Sequence, residues 1–165
     1  MADEGDDWQA WLDGHGAALV LLARQFVPGR ADAEDVVQEA FIRFWRSRTS
    51  VADQRAYLFA CVKHCALDWQ RSRRRQLRRE EFAARPEAES LFVGAVEHDE
   101  RRTTIEEAMR ELPPEQSEVL VLKIWGELTF PQIAAALEIS LNTAASRYRY
   151  AIAKLREALA EEPIR

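Results

Sequence analysis

The 165-residue chain is poor in the residues that would place it in several large protein classes. Two cysteines are too few for a disulfide-stapled secreted scaffold. Six glycines and six prolines are too few for a long low-complexity region or a turn-rich sheet protein. No apolar run approaches the ~20 residues that cross a bilayer, so no membrane insertion is expected. The acidic start, Met1 to Asp7, lacks the basic and apolar segments of a secretory signal, and a cytoplasmic location is expected. Convincing runs of alternating β-branched residues are also missing. What remains is a chain 47% hydrophobic and 31% charged, which can build a core. Its apolar positions recur at three- and four-residue steps almost throughout, so the expected fold class is all-α.

The net charge of −5 argues against a polyanionic partner, but its distribution reverses that. Residues 1–50 hold five Lys/Arg and nine Asp/Glu. Residues 71–79 hold six Arg and no acid, and residues 80–100 hold one Arg and seven acids. A local basic block, rather than the whole-chain sum, governs binding to phosphates.

Organisation follows from punctuation. Trp8, Trp11, Leu12, Leu19, Leu22 and Phe26 predict a first helix over residues 8–27, stopped by Pro28-Gly29. Asp32 is the expected N-cap of a second helix with an apolar stripe of Val36, Val37, Ala40, Phe41, Phe44 and Trp45. Ser47 to Val51 reads as a loop. Asp53 caps a third helix that runs through Tyr57, Leu58, Cys61, Val62, Cys65 and Trp69 into the arginine block. Mixed charge, Pro86 and Gly94 mark residues 81–103 as a linker between a helical domain at 1–80 and a second at 104–165. The second domain opens on a capping-box pattern, Thr104-Ile-Glu-Glu107. Pro114 starts the next helix, which Gly126 ends.

The clearest motif follows. Thr129-Phe-Pro-Gln132 opens a short helix, Glu138-Ile139-Ser140 turns, and Ser140 caps a longer helix from Leu141 to about Glu161. This is a helix-turn-helix pattern. Ile133, Ala134, Leu137, Ile139, Ala144, Tyr148 and Ile152 can face inward, with the small Ala134 permitting a close crossing. Asn142, Thr143, Ser146, Arg147, Arg149 and Tyr150 would then face a major groove, where arginine can donate twice to a guanine edge. The competing reading is an ordinary helical hairpin with a solvated charged face.

The arginine block is the second signal, and it makes salt-dependent phosphate binding the expectation. Tyr57, Phe59, His64 and Trp69 share its helix with Lys63, and rings beside cations suit unstacked bases. Against this, aromatic residues at helical spacing commonly belong to a core. Cys61, His64 and Cys65 lie close enough to suggest zinc, but four ligands from paired knuckles are needed and no second pair exists. His15 and His98 have no nucleophile or acid at interpretable spacing, and no glycine-rich phosphate loop occurs. No metal, no cofactor and no catalytic residue is therefore expected, and the chain is read as a non-enzyme.

Taken together, the halves resemble a bacterial RNA polymerase sigma factor of the extracytoplasmic-function type. Ala33-Glu-Asp-Val-Val-Gln-Glu-Ala-Phe-Ile-Arg-Phe-Trp45 is similar to that family's polymerase-binding helix. Ala56-Tyr-Leu-Phe-Ala-Cys-Val-Lys-His-Cys-Ala-Leu-Asp-Trp-Gln-Arg71 looks like its promoter-melting helix. Leu112 to Leu120, with Ile133 to Leu137 and Ala151 to Arg156, resembles its domain for the −35 element. The resemblance implies that Asp35, Gln38, Glu39, Phe41 and Trp45 grip the clamp helices of the polymerase largest subunit, with the polymerase flap as a further contact. It implies a −10 surface of Lys63, His64, Asp68, Trp69, Arg71, Arg73 and Arg74, and a −35 surface of Asn142, Thr143, Ser146, Arg147, Arg149 and Tyr150. Promoter DNA, double- and single-stranded, and an anti-sigma factor are the other implied partners. His64 stands where the family commonly has Asn, Tyr57 where Trp is usual, Glu138 at the usual turn glycine, and Ala145 where a basic residue is common. Tyr150 departs as well, so the −35 half is expected to lean on shape and phosphate contacts. The rival class is a stand-alone helix-turn-helix regulator that binds operators without polymerase, and a third is a purely protein-binding adaptor.

Overall fold

The computed structural model describes the backbone of residues 4–80 and 100–161, and side chains over 8–80 and 103–161. Among the described residues there are seven α-helices, one 3-10 turn and no strand. The chain forms two units, Met1–Glu89 and Ser90–Arg165, each with its own core. Most of the expected linker, residues 81–99, lies outside the described residues, including the apolar patch Leu91 to Val93.

The first unit contains α1 (Glu4–Ala23), α2 (Arg30–Ser47) and α3 (Gln54–Arg79). The α2 and α3 helices pair most extensively, and α1 packs on both. Leu19, Leu22, Phe44, Leu58, Phe59 and Val62 are fully buried between them. The last turn of the predicted first helix leaves α-helical geometry after Ala23, though Arg24 and Val27 still bond back to the helix and Val27 is buried. Gln70 Nε2 donates to the Phe26 carbonyl at 2.8 Å, which ties α3 to this exit.

Two start signals behave differently. Asp53 caps α3, its side chain accepting from the Ala56 amide at 3.0 Å. Asp32 does not cap α2. Gly29 holds that position with extended backbone, and Asp32 sits inside the first turn, where its charge faces the positive end of the helix dipole. The expected loop after α2 is tightened by a 3-10 turn, Arg48–Ser50, with the Ser50 hydroxyl donating to the Ser47 carbonyl at 2.8 Å.

The second unit contains α4 (Glu100–Glu111), α5 (Pro114–Ile124), α6 (Phe130–Leu137) and α7 (Leu141–Ala160). The α7 helix is its hub, contacting α4, α5 and α6 around buried Met109, Leu120, Leu122, Leu128 and Ile133. The α4 helix begins at Glu100, so Thr104 is interior and its capping box is not the start; residues 100–103, Glu-Arg-Arg-Thr, simply extend the helix backward. Pro114 does open α5. Thr129 forms the complete capping box: its hydroxyl accepts from the Gln132 amide at 3.3 Å, and Gln132 accepts from the Thr129 amide at 2.9 Å. At the α6–α7 pair Ala136 and Ala144 are buried, and Ala134 is half-buried.

Candidate functional site

On α2 the buried positions Ala33, Val36, Val37, Ala40 and Phe44 define the inner face. By helical geometry Asp35, Gln38, Glu39, Ile42 and Arg46 therefore share the outer face, and all five are exposed. Phe41 and Trp45 lie at its edge, half-buried and stacked at 5.9 Å with 17° between their planes. Both rings also meet buried Phe44, at 5.8 and 6.4 Å, so their orientation is held by the core. Beyond Trp45 the Arg48 guanidinium covers the indole at 3.4 Å. The result is an acidic half-face followed by an aromatic half-face, suited to a helix carrying both cations and apolar side chains.

The α3 helix changes character along its length. Its first half is core: Phe59 is fully buried, so that ring is not available to a base. Tyr57 is half-buried against Phe44 at 6.2 Å, and Trp69 is half-buried. From His64 onward the exposed residues dominate: His64, Asp68, Arg71, Arg74, Arg75, Arg78 and Arg79 are exposed, with Lys63 and Arg73 half-buried. The arginine block thus projects as a helical end free of acids until Glu80. Cys61 and Cys65 both line the buried side as free thiols. Burial pushes the Cys65 thiol up to about 11 despite the opposing pull of Arg43, and pushes Cys61 up as well. Such thiols are poor nucleophiles and poor metal ligands. Among the described residues no group of three His, Cys, Asp or Glu comes together as a metal site.

A contact that no local pattern announces links the two helices. Arg43 on α2 reaches Glu39 at 3.1 Å on its own helix and Asp68 at 3.4 Å on α3, and Arg71 meets the same Asp68 carboxylate at 3.2 Å. One ion-pair chain therefore runs from an expected polymerase contact, Glu39, to expected DNA contacts, Asp68 and Arg71.

In the second unit the turn between α6 and α7 is the tight one expected. Glu138 adopts the left-handed conformation, φ 55° and ψ 45°, and the Ile139 amide donates to the Ala134 carbonyl at 3.0 Å. Ser140 caps α7 by accepting from the Thr143 amide at 3.1 Å. The Thr143 hydroxyl is engaged with Ser140 Oγ at 2.8 Å, and the Ser146 hydroxyl donates to the Asn142 carbonyl at 2.8 Å. Asn142, Arg149 and Tyr150 are exposed; Thr143, Ser146 and Arg147 are half-buried. The Arg149 guanidinium sits 5.5 Å from the Tyr150 ring. From Ile139 to Arg156 there is no acid, against Arg147, Arg149, Lys154 and Arg156. That helix suits a polyanion within a chain whose net charge is negative. Tyr148 is held inward by Phe130 at 5.6 Å, and Lys123 covers the Phe130 ring at 4.6 Å while donating to the Leu128 carbonyl.

Comparison with known proteins joins these surfaces to a family. Sigma-70 region 2 matches residues 12–76, and Sigma-70 region 4 matches residues 102–155. The RNA polymerase sigma-E factor of Streptomyces coelicolor is 32% identical over 145 residues, covering 86% of this chain and 80% of the relative. The ECF RNA polymerase sigma factor SigL of Mycobacterium tuberculosis is 30% identical over 159 residues, covering 93% and 89%. Among solved structures, the sigma factor RpoE from Bartonella quintana, in complex with the anti-sigma factor NepR, superposes with a TM-score of 0.72 at 21% identity, covering 95% of this chain and 99% of the other. CnrH in complex with the cytosolic domain of CnrY gives 0.63 at 24% identity, covering 98% and 93%. These two share the fold. The helices and the two matched regions define an RNA polymerase sigma factor, a non-catalytic initiation factor that binds core polymerase and promoter DNA. The chain belongs to the extracytoplasmic-function (ECF) sigma factors and directs transcription initiation, and the stand-alone regulator is not favoured.

Two features escaped the sequence reading. Ile42 stands at the centre of the outer face of α2, half exposed, where the residue count around the helix could have found it. The Arg43–Asp68 pair spans 25 residues and carries no local signal.

Proposed function

We propose that the first unit binds core polymerase through Asp35, Gln38, Glu39, Phe41 and Trp45 and meets the −10 element through Lys63, His64, Asp68, Trp69, Arg71, Arg73 and Arg74. In the same reading the second unit enters the major groove at the −35 element with Asn142, Thr143, Ser146, Arg147, Arg149 and Tyr150. The observation that carries it is the division of one small unit between an acidic, aromatic face on α2 and an acid-free arginine end on α3. An acidic face steers toward a basic partner helix, while arginines collect phosphates. Unstacking a base step costs a few kcal/mol, which ring stacking and phosphate contacts offset. Asn142 and Arg149 are exposed polar side chains of that face, and the Ser140 cap holds the helix in register. The chain itself performs no covalent step; polymerase does.

The protein acts in the cytoplasm, and the neighbours solved as complexes support an anti-sigma factor as a further partner. Residues 81–103, the last four of them in α4, tether a −10 domain at 1–80 to a −35 domain at 104–165, with the acids of the tether mimicking nucleic acid inside polymerase and the flap receiving the second domain. The test is a gel shift on promoter DNA with and without core polymerase. Tight, specific binding only with polymerase is the expected result; tight binding by the free chain to palindromic sites would overturn it.

A further inference from the structure

We infer that Trp8 and Ile42, neither of them among the polymerase contacts proposed above, complete an apolar socket on α2 that receives a single apolar side chain from a basic helix of core polymerase. The inference rests on the proposed polymerase-binding role of α2 and adds the element that anchors the partner. A groove of about 400 Å³ is lined by Trp8, Phe41, Ile42, Trp45 and Arg46. Its walls are in ring contact with one another. Trp8 of α1 meets Phe41 edge-on at 6.1 Å, Phe41 stacks on Trp45, and Arg48 covers the Trp45 ring. Two of its lining residues are large apolar side chains left open to solvent: Ile42 is 50% exposed and Trp8 is 40% exposed. Solvent-facing apolar side chains clustered in one concavity mark a contact site.

Charge selects the occupant. Asp35, Glu39, Ile42 and Arg46 occur at steps of four, three and four on one face of α2, so acids lie on the N-terminal side of the socket and a cation on the other. A partner helix laid along that face presents Lys or Arg to Asp35 and Glu39 and, one to two turns on, a Leu-, Met- or Phe-type side chain to the groove. Past the socket it carries no cation, because Arg46 would repel it. An apolar anchor ringed by polar contacts is the usual composition of an interface hot spot.

The test measures affinity of the full chain for core RNA polymerase lacking any sigma factor, with Ile42→Ala, Trp8→Ala and Asp35→Ala variants. Ile42→Ala is exposed and leaves the fold intact, and thermal melting of each variant checks this. Burial of Ile42 or Trp8 under the partner and loss of the Asp35 charge each weaken binding about fivefold when the residue is changed to alanine, with promoter-independent DNA binding by the free chain unchanged. If Ile42→Ala and Trp8→Ala bind as wild type while Asp35→Ala weakens, the socket is overturned and the polymerase-binding face stands. If all three bind as wild type, that face fails and the socket with it. If Ile42→Ala keeps full polymerase affinity but dissociates a dimer of the free chain, the occupant is a second copy and the assignment is overturned.

Discussion

Replacing Glu138 with glycine should stabilise the second unit and separate two roles of the helix-turn-helix turn. Glu138 has φ 55° and ψ 45°, between the Ala134 carbonyl that accepts from the next amide and the Ser140 cap of α7. A left-handed backbone costs a residue with a Cβ about 1–2 kcal/mol. Glycine removes that cost but returns about 0.5–1 kcal/mol through the freedom it gains in the unfolded chain. The net gain is about 0.5–1 kcal/mol, which slows exchange of the most protected α7 amides about two- to fivefold. Glu138→Ala keeps the Cβ and the strain, so its amides exchange as in wild type. Both variants remove a carboxylate one turn from the DNA-facing end of α7, so both bind promoter DNA more tightly with polymerase, by under about 1 kcal/mol and less at high salt. Equal protection in the glycine and alanine variants would refute the strain argument. Tighter DNA binding by the glycine variant alone would refute the charge argument.

Other outcomes follow from the same geometry. Arg43→Ala breaks the exposed chain from Glu39 to Asp68, and urea unfolding should show a loss below about 1 kcal/mol; a loss above about 2 kcal/mol would mean that the pairs act as buried ones. Cys65 ionises near 11 when folded and near its ordinary 9.0 when unfolded, so the unfolded chain sheds its proton first and stability falls as pH rises between those values. The melting temperature should decline over that range, and Cys65→Ala should flatten the decline; an unchanged slope contradicts the burial argument. Run-off transcription with Arg147 and Arg149 both changed to alanine should lose −35-dependent initiation, whereas a protein-binding adaptor would keep it.

Much of the fold was legible because its signals are local. The caps at Asp53, Thr129 and Ser140 depend on an oxygen and an amide three residues apart, and all three form. Asp32 and Thr104 carry the same letters but fail for a reason the letters do not hold: Gly29 supplies the turn into α2, and residues 100–103 extend α4 past its expected start. The helical period identified the core face of α2, yet it did not separate Phe59, which is sealed inside, from Tyr57 and Trp69, which keep partial exposure. Depth depends on what packs across, and that is settled by α1 and α2 together. The Trp8–Phe41 edge contact and the Arg43–Asp68 pair join residues far apart in sequence, so only the packed unit displays them. Glu138 is left-handed at the place where the resemblance has a turn glycine, whereas the left-handed Glu127, φ 52°, follows Gly126, the residue whose type marks a helix end.

The most direct measurement is transcription reconstituted from the purified chain and sigma-free core polymerase on a genomic library, with the start sites read by sequencing. The account predicts a small set of starts sharing two spaced upstream elements, absent when either protein is omitted. Starts scattered as with core alone, or no stable association with polymerase, would contradict it.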